Sequence, residues 1–399
     1  MTMYWLELIV LLVIIFTCDY WFFRKMKKHH FYTWFIRLSI VPAILFTLTF
    51  LYIRFGFKYN HNYKIASDLQ WTFFFFGLIY IPKMIYITFY YINKLYNALL
   101  GVHSYAMRRI GYVVSIIIVL IMGYGNIVTR DQVQLVKQDI EVENLPSTFN
   151  NFKIAVFADM HIGNWHNRYQ LLENIISIIN NEKPDIIVFA GDMVNNFADE
   201  LDGWSPYFNQ LKSKSGNFAV LGNHDYGDYT NWKTTKKKED NLHEIKQHIR
   251  ELGFRLLLNE HVYLVKGNDS IVLMGVENWS GLDKHRYGDL SQAQQGTNPM
   301  MNKILISHDP MHWDAEVIGK KDIFLTIAGH THGGQIGIIK NNWKISPAQM
   351  IFKQWEGLYQ NGGQYLYVNR GIGYVGIPLR VGVRPEITIL TLKKTAPNP

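Results

Sequence analysis

Four apolar runs in the first third of this 399-residue chain constrain its fold more than any other feature. They cover residues 3–23, 35–53, 71–92 and 110–128. A helix needs about 20 residues to cross the hydrocarbon of a bilayer, so each run is expected to be a transmembrane span. Residues 1–130 then form an all-α membrane region of four helices. Tyr4, Trp5, Tyr20, Trp21, Trp34, Tyr52, Trp71 and Tyr112 crowd the ends of the runs, where amphipathic rings anchor at the interface. Pro42 and Pro82 fall inside spans, a place where membrane helices tolerate proline. Glu7 stands where a cleaved leader would be basic, and no small-residue cleavage site follows the first run, so it reads as a span.

Basic residues set the expected orientation. The first connection carries Arg24, Lys25, Lys27, Lys28 and Arg37, and the third carries Lys94, Arg108 and Arg109. The second has Arg54, Lys58 and Lys64, and the stretch after the fourth span has Arg130 and Lys137. The positive-inside rule puts the first and third connections in the cytoplasm and the large carboxy-terminal domain on the extracytoplasmic side. These loops account for part of the net charge of +8. Lys233, Lys236, Lys237 and Lys238 add a patch expected to be a solvated loop. No nucleic-acid-binding module accompanies the charge, so the expected partner is the lipid bilayer rather than nucleic acid. Cys18 is the only cysteine, which excludes an internal disulfide or a cysteine-based metal site.

From about residue 131 the pattern changes. Residues 131–150 read as a linker and first strand, with β-branched and polar residues mixed over 133–142. Short, nearly continuous apolar runs follow at 154–157, 186–190, 218–221, 271–276, 304–306, 324–328, 365–368 and 387–392. Runs of this kind are buried strands. Helical stripes lie between some of them: Leu171, Leu172, Ile175, Ile176 and Ile179, then Leu242, Ile245, Ile249 and Leu252. Strands alternating with helices indicate an α/β layered domain over 151–399. Residues 226–241 and 279–302 lack strong periodicity and read as loops.

Five of these strands end on chemistry. Residues 154–158 run into Asp159-Met160-His161, and 186–190 into Gly191-Asp192. Residues 218–221 run into Gly222-Asn223-His224-Asp225, and 304–306 into Ser307-His308-Asp309. The fifth, 323–328, opens into Gly-His-Thr-His-Gly-Gly-Gln, with His330 and His332 among glycines. In open α/β sheets ligands gather beyond the carboxyl ends of strands. Imidazoles, aspartates and an asparagine without thiolate suit a divalent Mn, Fe or Zn ion. The groups outnumber what one tetrahedral ion with an open position requires. Two ions sharing a carboxylate would use them, and metals about 3.5–4 Å apart can clamp a phosphoryl group and activate a water. Glycines at 191, 222, 329 and 333 let the backbone approach closely.

This ordered set, Asp-x-His, Gly-Asp, Gly-Asn-His-Asp, His and Gly-His-Thr-His, resembles the calcineurin-like metallophosphoesterase superfamily over about 152–392. The stretch Asn-Arg-Gly-Ile-Gly-Tyr-Val-Gly-Ile-Pro-Leu-Arg that begins at Asn369 is similar to its membrane-associated bacterial branch. The resemblance implies two stacked β-sheets flanked by helices. It also implies one ion on Asp159, His161, Asp192 and His332, and a second on Asp192, Asn223, His308 and His330. By the same resemblance His224 protonates the leaving oxygen. Asp225 stands where many relatives carry glutamate, a difference that bears on what orients His224. Arg380 and Arg384 are candidates for binding the phosphate, with ordinary ion pairing as the alternative. The implied activity is hydrolysis of a phosphomonoester, phosphodiester or pyrophosphate, with a lipid-linked or cell-envelope molecule as a candidate substrate. A catalytically silent, membrane-anchored scaffold is the alternative. Trp204, Tyr207, Tyr229, Trp232 and Trp279 are read chiefly as packing residues, with contact to a substrate group as the second reading.

Overall fold

The structure, a computed structural model, describes residues 5–28, 40–57, 60–281, 286–320, 322–340 and 343–395. Two compact units divide the chain: residues 1–127 with 376–379, and residues 128–375 with 380–399.

The first unit is helical, with α1 at Trp5–Lys28, α2 at Val41–Leu51, α3 at Tyr63–Leu100 and α4 at Ala106–Ile127. Three described helices are long and apolar enough to span a bilayer: Trp5–Lys28, Tyr63–Leu100 and Ala106–Asp131. The second predicted span is corrected: its described part is the shorter apolar helix Val41–Gly56, which closes on a π-helical turn. Its remainder, 35–39, lies outside the described residues, as do residues 3–4 of the first run. Asn62 caps α3 by accepting from the Ile65 N–H at 3.2 Å, and Gly101 ends it with φ at 63°. Contacts give the directions of the helices. Asp19 meets Lys83, and Trp21 meets Tyr91, so sequence rises together along α1 and α3. Phe46 packs on Tyr80 and Phe50 on Phe73, so α2 runs the other way. The chain therefore returns between α1 and α3.

The second unit stacks two six-stranded sheets. The first has the order β1-β14-β2-β3-β4-β5, from Gln134–Val142, Glu386–Lys394, Phe152–Phe157, Ile186–Phe189, Asn217–Ala219 and Arg255–Leu256. The second has the order β12-β13-β9-β8-β7-β6, from Gly357–Asn361, Gln364–Val368, Ile323–Ala328, Lys303–Ile306, Asp269–Gly275 and Glu260–Lys266. A small hairpin, β10 and β11, covers Ile338–Lys340 and Trp343–Ile345. Side chains alternate across a strand, and the two cores follow from that. Ile154, Val156, Ile186 and Val188 meet Leu273, Ile304, Ile306 and Ile327 between the sheets. Ala155, Phe157, Ile187 and Phe189 face the other way, toward α5 (Tyr169–Asn181) and α6 (Thr235–Glu251) through Leu172, Ile175, Ile179, Ile245 and Ile249. Burying each such aliphatic side chain contributes about 1.5–3 kcal/mol.

All nine predicted strands are present, the first as β1 and the eight apolar runs after it. The reading of 226–241 as loop is corrected from Thr235 onward, because α6 starts inside the lysine run. Thr234 caps it by accepting from the Lys237 N–H at 3.3 Å. Two of the lysines are paired, Lys238 with Asp228 and Lys236 with Asp240. The 279–302 stretch contains a short helix, Leu290–Gln294.

Candidate metal centre

Strands β2, β3, β4, β8 and β9 deliver the site. The turns beyond β2 and β3 are tied backbone to backbone: Asp159 N–H donates to Gly191 O at 2.9 Å and Met160 N–H to Asp192 O at 2.8 Å. Five site residues hold left-handed backbone: Asp159 (φ 51°), His161 (45°), Asp192 (61°), His330 (73°) and His332 (51°). Such conformations cost on the order of 1 kcal/mol each and persist only where surrounding packing enforces them. Two glycines show why no side chain fits beside them. A Cβ on Gly191 would lie 2.6 Å from His308 Nδ1, and one on Gly222 would lie 2.2 Å from Asp192 Oδ1.

Three overlapping donor groups result: Asp159, His161 and His332; His161, Asp192 and His224; and Asp192, His308 and His330. Asp192 lies between the two sides, with Oδ2 3.7 Å from His161 Nε2 and 3.2 Å from His308 Nε2. His332 Nε2 lies 3.1 Å from His161 Nε2 and 3.5 Å from Asp159 Oδ1. Asn223 joins through Oδ1, 3.1 Å from His308 Nε2, while its Nδ2 donates to Tyr229 OH at 2.7 Å. That bond fixes which end of the amide faces inward. His308 Nδ1 donates to Ala190 O at 2.7 Å, which presents Nε2 to the cluster. The predicted ligands Asp159, His161, Asp192, Asn223, His308, His330 and His332 thus come together.

Burial shifts these groups strongly. It pushes Asp159 up to about 8 and, with the neighbouring His224, takes His161 down to about 3. His332 is held well below the imidazole range, again first by burial and then by His161. Burial would also lower His308, but the Asp192 and Asp159 carboxylates outweigh it and raise it to about 10. Asp192 is correspondingly held well below the carboxylate range, the attraction of His308 and His224 overcoming the opposing effect of burial. No lysine or arginine pairs with Asp159 or Asp192 among the described residues. Ionised Asp192 is a buried anion, and such a group requires positive charge nearby. Protonated His308 carries it here, and divalent ions would supply it while releasing that proton. The donor set therefore fits two cations of the Mn, Fe or Zn type.

Comparison with known proteins identifies the family. The model of the calcineurin-like phosphoesterase family matches residues 152–334. An uncharacterized metallophosphoesterase of Aquifex aeolicus is 30% identical over 280 residues, covering 69% of this chain and 98% of its own. The chain belongs to the calcineurin-like metallophosphoesterase family. Bacillus subtilis YkuE, an uncharacterized metallophosphoesterase, is 29% identical over 68% of this chain and 90% of its own. A bovine transmembrane protein with metallophosphoesterase domain is 30% identical over 64% of this chain. The match spans 56% of the bovine protein's length.

In this metallophosphoesterase several residues sit differently from expectation. Asp225 does not touch the His224 ring. Its carboxylate accepts the N–H groups of Asp192 (3.0 Å), Met193 (2.9 Å), Val194 (3.1 Å) and Gly222 (2.9 Å), so it binds two turns together. His224 is instead oriented by Asn195, whose carbonyl accepts from Nδ1 at 2.9 Å, and by Tyr229 stacked at 4.2 Å. Arg380 is neither a phosphate clamp nor an ion-pair partner, because it is fully buried and donates to the carbonyls of Gly373 (2.6 Å), Arg370 (3.0 Å) and Gly371 (3.2 Å). It supports the backbone beneath His332. Arg384 is exposed and lines a separate cavity with Lys344, Arg370 and Glu386. Trp204 and Trp279 are buried packing residues, while Tyr229 belongs to the site. Asn195 carries no motif that would have singled it out.

Proposed function

We propose that this chain is a membrane-anchored phosphoesterase that works with two divalent metal ions. One observation carries the reading: donor atoms from five strand ends converge in a buried cluster, with half-exposed His224 at its edge. Asp159, His161, Asp192 and His332 would hold one ion; Asp192, Asn223, His308 and His330 would hold the other. When bound, such ions neutralise phosphoryl oxygens and supply an activated water as nucleophile. The chain's own residues do the rest. The Ala190 carbonyl and Tyr229 hold His308 and Asn223 in their ligating orientation. His224 has Nδ1–H engaged by Asn195 O, so its Nε2 is the free ring nitrogen, and in the imidazolium form it would give its proton to the departing oxygen. Tyr229 offers the organic part of the substrate a ring face beside His224.

The substrate we propose is a phosphomonoester, phosphodiester or pyrophosphate of a lipid or cell-envelope molecule, reached on the extracytoplasmic side. Three long apolar helices support the anchoring. The return of the chain along α2 between the parallel α1 and α3, together with the basic connections, supports the side chosen. Purified protein supplied with Mn²⁺ should hydrolyse an aryl phosphodiester. Asp192→Asn should lose metal and on the order of a thousandfold in rate, about 4 kcal/mol of barrier; a wild-type rate in that variant would overturn the mechanism. Intact cells offered an impermeant aryl phosphodiester should hydrolyse it, and activity seen only after lysis would reverse the orientation alone.

A further inference from the structure

We infer that the helical unit binds the phosphate headgroup of an anionic phospholipid in the cavity between α1, α3 and α4. The cavity measures about 610 Å³, and Lys25, Lys28, Lys83 and Arg108 all line it. Its remaining walls are rings and apolar groups, among them Trp21, Phe22, Met26, Tyr86 and Tyr112.

The charge there is one-sided. Within residues 1–127 Asp19 is the only acid at this end of the helices, and both its oxygens are engaged, Oδ1 by Lys83 Nζ at 2.5 Å and Oδ2 by Tyr80 OH at 2.7 Å. The other acids in residues 1–127 are Glu7 and Asp68. They lie near the starts of α1 and α3, and because those helices run parallel they are at the opposite end. Residues 29–39, which are not described, contain no acid. Lys25 Nζ meets the Tyr90 hydroxyl at 2.5 Å and lies 4.3 Å from the centre of that ring. The Arg108 guanidinium lies over Tyr90 and Tyr105 at 5.1 and 5.3 Å. Ring faces hold these cations in place without neutralising them. Lys25, Lys28 and Arg108 therefore present uncompensated positive charge to one space.

A phosphate group is the fitting occupant, since arginine and lysine donors with tyrosine hydroxyls match its oxygens. A lipid source is favoured over a free anion by position. The last turn of α1 carries Lys25, Lys27 and Lys28 where an apolar helix ends, the depth at which headgroup phosphates sit. Apolar walls below the cations suit the glycerol and upper acyl chain. Exposed Tyr112 and Val113 on α4 continue that surface.

Native mass spectrometry of the full chain in detergent, titrated separately with phosphatidylglycerol and phosphatidylcholine, tests this. Wild type should bind one phosphatidylglycerol in clear preference to phosphatidylcholine. The double variant Lys25→Gln, Arg108→Gln should bind it about 25-fold more weakly, about fivefold for each cation removed. Lys25→Arg, which keeps the charge, should retain binding, and unchanged helix content by circular dichroism shows that each variant is folded. Equal binding of the two lipids, or unchanged affinity in the double variant, overturns the proposal. Displacement of phosphatidylglycerol by millimolar inorganic phosphate would reassign the site to a free anion and overturn the lipid source.

Discussion

In the helical unit Lys25 and Arg108 rest over tyrosine and tryptophan rings, whereas in the sheet unit Asp192, Asp225 and Glu200 rest on backbone N–H groups and imidazoles. The backbone explains the difference. A helix uses its N–H groups internally, so its surface offers an ion only side chains, and beside Lys25 and Arg108 those are aromatic. Where a buried strand stops, the following N–H groups are freed together and can converge on a carboxylate. Anionic groups therefore collect at the strand ends, and cations suited to carboxylate and imidazole follow. The helices collect cations instead.

The largest effect should separate imidazoles that hold cations from the one that moves a proton. His224→Ala should lower the turnover of an aryl phosphodiester by about 10²–10⁴-fold while metal content, read by elemental analysis, stays as in wild type. Loss of metal in that variant would make His224 another ligand. Asp225→Ala tests the N–H cradle directly, since it orphans four buried donors. It should cost at least about 3 kcal/mol of stability in denaturant unfolding, and a loss within 0.5 kcal/mol, the usual range for surface changes, would refute the cradle.

Glu200 gives a pH signature. Its carboxylate accepts from the N–H groups of Gly163, Asn195, Asn196 and Phe197, yet burial outweighs them and raises it from 4.5 to about 7. The folded protein thus holds a proton between pH 4.5 and 7 that the unfolded chain has released. The stabilisation is complete below 4.5 and lost as pH rises through 7, a change on the order of 3 kcal/mol. The unfolding midpoint should fall over that window in wild type and stay flatter in Glu200→Gln; identical slopes would remove Glu200 as the cause. The smallest effect belongs to a charge outside both devices. Lys236 pairs with Asp240 on the exposed face of α6, and Lys236→Ala should leave the denaturant midpoint of unfolding unchanged within error.

The seven donor residues were legible because each stands where an apolar run stops, a pattern visible without tertiary knowledge. The central strands were legible for the same reason. Edge strand β6 was not read from the sequence; its burial alternates, as on a strand with one solvated face. The start of α6 was hidden by Lys236, Lys237 and Lys238, which carry no apolar period and follow only a threonine cap. The role of Asp225 depends on where N–H groups of another turn point, and that of Arg380 on carbonyls from Arg370 to Gly373. Neither direction is written in residue type. The second apolar run matched the others in composition; its described helix, Val41–Gly56, begins late, and residues 35–39 of the run lie outside the described residues.

Strand β14 lies between β1 and β2, so the segment that leaves the helices is knitted to the last strand of the chain. Residues 134–142 consequently have no neighbour to pair with until 386–394 have been synthesised. A contact closed over so many positions is slow to form. During synthesis the domain would complete its first sheet only after residues 386–394 had left the ribosome. A premature stop before Glu386 would then leave two interior edges open, however intact the metal-binding turns.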